Sequence, residues 1–168
     1  MSKPKIAGIA VGLLLLVVVI GWASTAPYLS NSGLGRTPGI FIGGTITPAP
    51  ADFSPLNESV RGPMMFKLSG FPPFVNYLSW VGMPDGVISA TRPDNGYWER
   101  RVNANGGDGL LRIGEATYEM TANEVFGEER LEMMRLWAAK SGGRSLDDPA
   151  YPGSEPLREW KVFFWTPR

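Results

Sequence analysis

The alternation of β-branched, turn-forming and apolar positions organises the middle of the chain, residues 86–125. It predicts a strand at residues 87–91, a short helix at 97–102, and strands at 110–113 and 116–121. Pro, Asp, Asn and Gly at residues 92–96 predict a turn between the first strand and the helix. Gly114 and Glu115 separate the last two strands. Because Gly at the first of two loop positions favours a type II′ turn, they predict a tight hairpin.

The flanking sequence adds further elements. It predicts strands at residues 64–68, 74–81 and 160–166, and a helix at 128–140. The strand at 74–81 is expected to form a hairpin with residues 87–91. Residues 40–44 predict either a first short strand or a docking segment. In the later helix, Leu131, Met134 and Ala138 recur at helical spacing and predict its buried face.

The order of these elements predicts the fold class. Strands outnumber helices, and short connections between neighbouring strands favour antiparallel pairing. Six strands with two short helices close most easily as a small barrel, because closure removes exposed strand edges. We therefore expect a mainly β (α+β) domain with a six-stranded antiparallel barrel. One N-terminal transmembrane helix is expected to precede it.

The N-terminal segment is a basic start followed by an apolar run. Residues 6–26 carry no charge, and as a helix they would span about 30 Å, the thickness of a bilayer core. A cleaved signal peptide is the alternative, since Ser24, Thr25 and Ala26 resemble a cleavage site. The run is longer than a usual signal core, and Pro27 would hinder cleavage there. These features favour an uncleaved anchor at residues 1–27.

The anchor predicts the domain organisation and the location of the protein. Lys3 and Lys5 place the N-terminus in the cytoplasm by the positive-inside rule. Residues 28–39, rich in Ser, Asn, Gly and Pro, are expected to form a linker. Residues 40–168 would then fold outside the cytoplasmic membrane, as the main domain of a single-pass protein. Secretion after signal cleavage is the alternative location.

Composition narrows the chemistry. The 168-residue chain contains no cysteine and no histidine, which excludes disulfides, thiol nucleophiles, Cys/His zinc sites and a Ser-His-Asp triad. No spacing of carboxylates indicates a metal site. From Arg36 onward there are 14 basic and 16 acidic residues. A domain so close to neutrality lacks the basic surface that nucleic acids require, so we expect no nucleic-acid partner.

The order of elements resembles the split β-barrel of the pyridoxamine-phosphate-oxidase-like and deazaflavin-dependent nitroreductase superfamily. The resemblance covers residues 40–166 and is carried mainly by Trp98, Arg101, Val102, Ala104, Asn105, Leu110, Leu111, Arg112, Ile113, Gly114, Tyr118 and Ala122. Arg101 stands where an Asn is usual, and Gly106 where a Pro is usual. The family resemblance implies a domain that holds FMN or a deazaflavin and reduces quinones or nitro compounds.

For the cofactor site, the candidate residues are Arg92, Asn95, Tyr97, Trp98, Arg101 and Tyr118. Arginine and asparagine side chains at this corner would bind a phosphate or carboxylate, and the aromatic rings would stack on or hydrogen-bond a planar ring. The same residues could instead form a solvated polar corner over packed aromatic rings. No catalytic residue is assigned.

Two function classes follow. The first is a membrane-anchored reductase with a flavin or deazaflavin. The second is a non-catalytic, membrane-tethered barrel without a cofactor, which binds a small ligand or a protein partner. In both, residues 6–26 contact the lipid bilayer, and a homodimer is compatible with either.

Overall fold

The structure, a computed structural model, describes residues 3–29 and 39–168. Its first element is helix α1 (Lys3–Leu29), whose side chains are described for Lys5 and residues 7–21. Within the part of the chain that the structure describes, no helix is long and apolar enough to cross a membrane. The transmembrane helix of the predicted fold is therefore not found there, and membrane anchoring stays a prediction. Most of the predicted linker, residues 30–38, lies outside the described residues.

The remaining described residues form a mainly β domain. Its elements are β1 (Thr45–Ile46), α2 (Leu56–Ser59), β2 (Met64–Leu68), β3 (Val75–Leu78), β4 (Trp80–Met83), β5 (Gly86–Thr91), α3 (Tyr97–Asn105), β6 (Gly107–Ile113), β7 (Ala116–Val125), α4 (Gly127–Lys140) and β8 (Lys161–Pro167). A 3-10 turn, Leu157–Glu159, precedes β8. The two helices predicted within the domain and the strands predicted around them are confirmed, apart from the split described below.

Seven strands form one hydrogen-bonded path in the order β3-β2-β6-β7-β8-β5-β4. All their pairings are antiparallel, and the short β1 adds a parallel pairing to β7. The edge strands β3 and β4 are consecutive in the chain and separated only by Ser79. The sheet must therefore curl until its two edges approach each other, which makes it a half-barrel.

The predicted count of six strands is wrong, because the segment predicted as one strand at residues 74–81 is two strands. Its first half pairs with β2, where Met64 lies opposite Leu78, and its second half pairs with β5, where Trp80 lies opposite Ser89. These partners, β2 and β5, are separated by β6, β7 and β8 in the sheet. A single straight strand cannot reach both, so the chain breaks at Ser79.

The β6–β7 hairpin has the predicted geometry. Ile113 pairs with Ala116 across a two-residue loop. Gly114 has φ +61°, whereas Glu115 has no positive φ, as a type II′ turn requires. A β-branched residue would be strained at Gly114, so the local sequence sets the register of this hairpin.

The domain has two apolar clusters, one on each face of the sheet. The inner cluster is built from large buried side chains, including Phe53, Phe66, Leu111, Met120, Phe163 and Trp165. On the outer face, α4 covers β4, β5 and β8 with Met134, Trp137 and Ala138. Val162 belongs to the outer cluster and its neighbour Phe163 to the inner one, so β8 is buried on both faces.

Residues 39–62 close the open parts of the sheet. Residues 40–44 form no strand. They dock instead, since Arg112 Nη1 donates to the Ile42 carbonyl at 3.0 Å. The Asn57 side chain acts as a strand partner for the β4 edge: its Nδ2 donates to Gly82 O at 2.9 Å, and its Oδ1 accepts from Gly82 N at 2.7 Å. Covering an edge in this way prevents it from pairing with another chain.

Candidate functional site

The corner between β5 and α3 is shaped by its turn residues. Asn95 adopts φ +53°, a left-handed conformation that Asn tolerates better than most residues. Helix α3 begins after Gly96, whose N–H donates to Glu99 Oε1 at 3.2 Å. Arg100 Nη1 donates to the Asn95 carbonyl at 3.0 Å. The Asn95 backbone therefore contributes to the corner, while no described contact involves its side chain.

Arg92 is engaged by neighbours at the exposed side of this corner. Its guanidinium lies 3.4 Å from Asp94 Oδ2, and Nη1 donates to the Tyr151 hydroxyl at 2.8 Å. Its Cζ lies 5.9 Å from the centre of the Tyr151 ring. Tyr151 comes from the loop after α4, so Arg92 joins that loop to the end of β5. It does not line a cleft together with Arg101.

Trp98 and Tyr118 lie in the inner core. Trp98 is 7% exposed, and its ring centre lies 4.6 Å from that of Phe163 and 5.0 Å from that of Phe66. Tyr118 is 5% exposed and meets Phe53 edge to face, with ring centres 5.4 Å apart. Burial raises the pKa of the Tyr118 hydroxyl above its ordinary value. A ligand would reach either ring only after core side chains moved.

Tyr97 and Arg101 are brought together on the outer side of α3. The Arg101 guanidinium donates to the backbone carbonyls of Ser69 and Pro72, and so holds the loop between β2 and β3. The Tyr97 hydroxyl accepts from Asn76 Nδ2 at 3.0 Å. Burial raises the pKa of Tyr97, and the bond from Asn76 opposes this increase. Arg101 therefore holds the loop before β3, and Tyr97 contacts β3 itself.

A cleft of about 520 Å³ lies between α3 and this loop. We call it the α3 cleft, and it is lined by Phe71, Pro72, Phe74, Tyr97, Arg100, Arg101, Ala104 and Asn105. Phe71 is 90% exposed, and the Phe74 and Tyr97 rings meet edge to face at 5.8 Å. The cleft thus combines aromatic rings and a proline with two guanidinium groups and an amide. This combination can hold a planar or apolar body together with an anionic group.

Sequence reasoning missed the loop side of the α3 cleft. The sequence predicts residues 71–73, Phe-Pro-Pro, only as a break between two strands, and Phe74 as the first residue of the second strand. The available signal was the placement of two aromatic residues around two prolines. Such a segment cannot extend a strand, yet it carries large apolar side chains. Neither residue type nor spacing indicated that Arg101 would bind this loop.

Other clefts among the described residues also contain cationic side chains, and one of about 360 Å³ is lined in part by Glu119 and Arg168. A cleft of about 450 Å³ beyond α4 is lined in part by Arg135, Arg144 and Arg158. Arg135 pairs with Glu132 at 3.0 Å and Arg158 pairs with Asp147, so acidic neighbours compensate two of these three charges. A smaller cleft of about 240 Å³ is lined in part by Trp80 and Lys140.

Lys140 has an unusual environment in the smaller cleft. Its Nζ lies 3.4 Å from the centre of the Trp80 ring and donates to Asn57 Oδ1 at 2.9 Å. Burial, with a smaller effect from the charge of Arg61, lowers the pKa of Lys140 to about 8. Within residues 3–29 and 39–168, no group of three or more acidic residues is placed to hold a metal ion.

Comparisons with known proteins add no relative to this picture. No protein-family model matches the chain, and the comparisons with curated proteins and with solved structures gave no significant match. The resemblance to the split-barrel superfamily therefore stays a prediction. The function is inferred from the chemistry of the α3 cleft.

Proposed function

We propose that this chain is a membrane-tethered half-barrel that binds a small ligand in the α3 cleft, a ligand with a planar or apolar body and an anionic group. The observation that carries the proposal is the composition of the cleft wall. Three aromatic rings and a proline lie beside Arg100 and Arg101. The proposed tether is residues 6–26, which carry no charge and as a helix would be about as long as a bilayer core is thick, about 30 Å.

Binding fits the cleft better than catalysis by side chains. No carboxylate is among the residues that line it, and the chain has no cysteine or histidine. The Tyr97 hydroxyl is a weak acid in the cleft wall, and burial raises its pKa above the ordinary value, which makes it a poorer proton donor still. Any redox reaction at this site would therefore depend on the chemistry of a bound cofactor.

FMN and deazaflavins are the first ligands to test, because two of the six predicted cofactor residues, Tyr97 and Arg101, line the α3 cleft. Each carries a planar ring and an anionic tail. A reductase acting on quinones or nitro compounds is the second candidate function, and it requires such a cofactor to bind first. The ring would lie against Phe71, Phe74 and Tyr97, with the anionic tail at the guanidinium groups.

The test is a fluorescence titration of the detergent-solubilised full chain with FMN and with a deazaflavin. Replacing Arg100 with Ala should weaken binding about tenfold or more, because this is the affinity lost when one charge-assisted hydrogen bond to the ligand is removed. Arg92→Ala is the matched control, since Arg92 binds Asp94 and Tyr151 away from the cleft. If Arg92→Ala weakens binding and Arg100→Ala does not, the ligand site is elsewhere.

A further inference from the structure

The exposed large apolar side chains of the domain are unevenly distributed. Outside α1, the described residues of this class are Phe41, Ile46, Phe71, Phe126, Leu136 and Tyr151. Single exposed apolar residues are common on soluble proteins and need no explanation. A concentration of them at one end of a sheet does, because several rings can then contact one partner.

One end of the sheet is defined by its strand pairings. Lys67 pairs with Val75, Leu68 with Gly109, Gly107 with Ala122, Thr91 with Lys161, and Val125 with Val162. These pairings place the ends of β2, β5 and β7 and the starts of β3, β6 and β8 side by side. Helix α3 connects β5 to β6 here, so we call this the α3 end.

Three of the six exposed apolar side chains lie at the α3 end. Phe71 is in the loop from β2 to β3, and Phe126 directly follows β7. Tyr151 is bound by Arg92, which directly follows β5. Phe41 is not counted with them, because it lies between Ile40, which contacts Lys67 near the end of β2, and Ile42, whose carbonyl accepts from Arg112 near the opposite end of β6. All three are aromatic, whereas two of the other exposed apolar residues, Ile46 and Leu136, are aliphatic.

The chain also enters the domain at the α3 end. The Gly39 carbonyl accepts from the N–H of Val75, the first residue of β3, at 2.8 Å. Leu29 is the last residue of α1, and ten Cα–Cα steps separate it from Gly39. Such a segment reaches at most about 36 Å. If α1 is held in a bilayer, the α3 end is thus the part of the domain to which the tether is attached.

We propose that the α3 end rests on the surface of the bilayer, with Phe71 and Phe126 inserted at the level of the lipid headgroups. This inference rests on the tether of the proposed function and not on ligand binding in the α3 cleft. Aromatic side chains favour this depth of a membrane, and a tether keeps the bilayer at high effective concentration. The opening of the α3 cleft, beside Phe71, would then face lipid-borne ligands.

Charge does not select the lipid. Exposed groups of both signs occur at the α3 end: Arg92 and Arg100 are positively charged, and Asp94 and Glu128 are negatively charged. The contact should therefore depend on the aromatic rings, and it should persist in zwitterionic vesicles and at high salt.

The absence of cysteine allows a direct test with single spin labels on the full chain in phosphatidylcholine vesicles. Labels are placed by Phe71→Cys and Phe126→Cys. Asp85→Cys is the control, because this exposed residue lies in the β4–β5 turn at the opposite end of the sheet. The two labels at the α3 end should show a several-fold higher ratio of accessibility to oxygen over a water-soluble nickel chelate than the control.

Equal ratios at all three positions would overturn the proposal. Labels at residues 71 and 126 that are shielded from both reagents would also overturn it, in favour of a contact between protein chains. Carbonate washing of the same vesicles tests the tether separately. If carbonate releases the chain while the two labels keep the higher ratio, the tether is wrong and the surface contact stands.

Discussion

Neighbouring side chains on α3 differ in exposure, and this difference decides which of them a ligand can reach. Tyr97 lies in the wall of the α3 cleft, whereas Trp98 packs between Phe66 and Phe163 in the core. Successive residues of a helix point about 100° apart, so adjacent aromatic residues cannot both face the same cleft. Arg101 lies one helical turn from Tyr97 and Trp98, and its guanidinium binds the loop carbonyls on the cleft side.

At the scale of a single residue, Lys140 should make the stability of the domain depend on pH. An unfolded Lys titrates near pH 10.4, whereas the folded pKa of Lys140 is about 8. Between these values the unfolded chain binds more protons than the folded one, so the free energy of unfolding should rise from pH 8 to pH 9.5. Urea unfolding at pH 7.5, 8.5 and 9.5 measures this slope.

Two variants test the origin of that slope. Lys140→Gln should remove most of the rise, and Arg61→Gln should reduce it, because the Arg61 charge contributes to the lowered pKa. An equally steep rise in Lys140→Gln would assign it to another group. A flat profile in the unaltered chain would indicate that the Trp80 ring stabilises the ammonium group as well as water does.

Helix α3 is positioned as an element by one buried carboxylate. Glu99 is fully buried, and its Oε2 lies 3.0 Å from Nζ of Lys161 at the start of β8. Its Oε1 accepts from the first turn of α3 itself. Burial raises the pKa of Glu99, and the nearby Lys161 opposes this increase. The pair therefore joins the helix that forms the α3 cleft to β8, an interior strand of the sheet.

Breaking this pair from one side should be costly. Lys161→Met leaves the Glu99 charge buried without its partner, which should lower the free energy of unfolding by about 3–5 kcal/mol at pH 7. The loss should be smaller at pH 5, because burial raises the pKa of Glu99 and a larger fraction of this carboxyl group is then protonated than at pH 7. Urea unfolding of the unaltered chain and of Lys161→Met, at pH 7 and at pH 5, measures this loss.

The double variant Lys161→Met, Glu99→Gln is the control for this pair. It should be more stable at pH 7 than Lys161→Met alone, because no buried charge is left. If the double variant loses as much free energy of unfolding as Lys161→Met and Glu99→Gln lose together, the two side chains do not interact energetically.

The whole molecule depends on β8, the last strand in the chain. It pairs with β7 on one side and β5 on the other, so it joins the two halves of the sheet path. Its side chains fill the inner cluster from one face and the outer cluster from the other. The half-barrel therefore cannot be completed until the last residues of the chain are in place.

Trp165 tests this role at the scale of the whole domain. It is fully buried, its ring centre lies 5.0 Å from that of Phe66, and its Nε1 donates to Ser89 Oγ at 2.9 Å. Trp165→Ala should lower the free energy of unfolding by about 3–5 kcal/mol. Thr166→Ala, on the same strand and half-exposed, should change it by only about 0.5 kcal/mol. Equal losses in the two variants would contradict the central role of this face.

The sequence by itself determined the local elements. The two-residue spacing at Gly114 and Glu115 specified the β6–β7 hairpin, and the periodic apolar face of residues 128–140 specified α4. Helix α3 begins at Tyr97 as predicted and ends at Asn105, before Gly106, three residues beyond its predicted end. These features depend on neighbouring residues only, so local propensity and turn chemistry are sufficient to predict them.

Only the tertiary structure decided how these elements were shared between the edges of the sheet and which residues formed the cleft. Nothing local to Ser79 requires a break. The break follows because the segment before Ser79 pairs with β2 and the segment after it with β5, and three other strands separate β2 from β5 in the sheet. The same applies to Arg101, whose loop partners are 29 and 32 residues away in sequence. Pairings between distant segments depend on the free energy of the whole packed domain, which no short window of sequence contains.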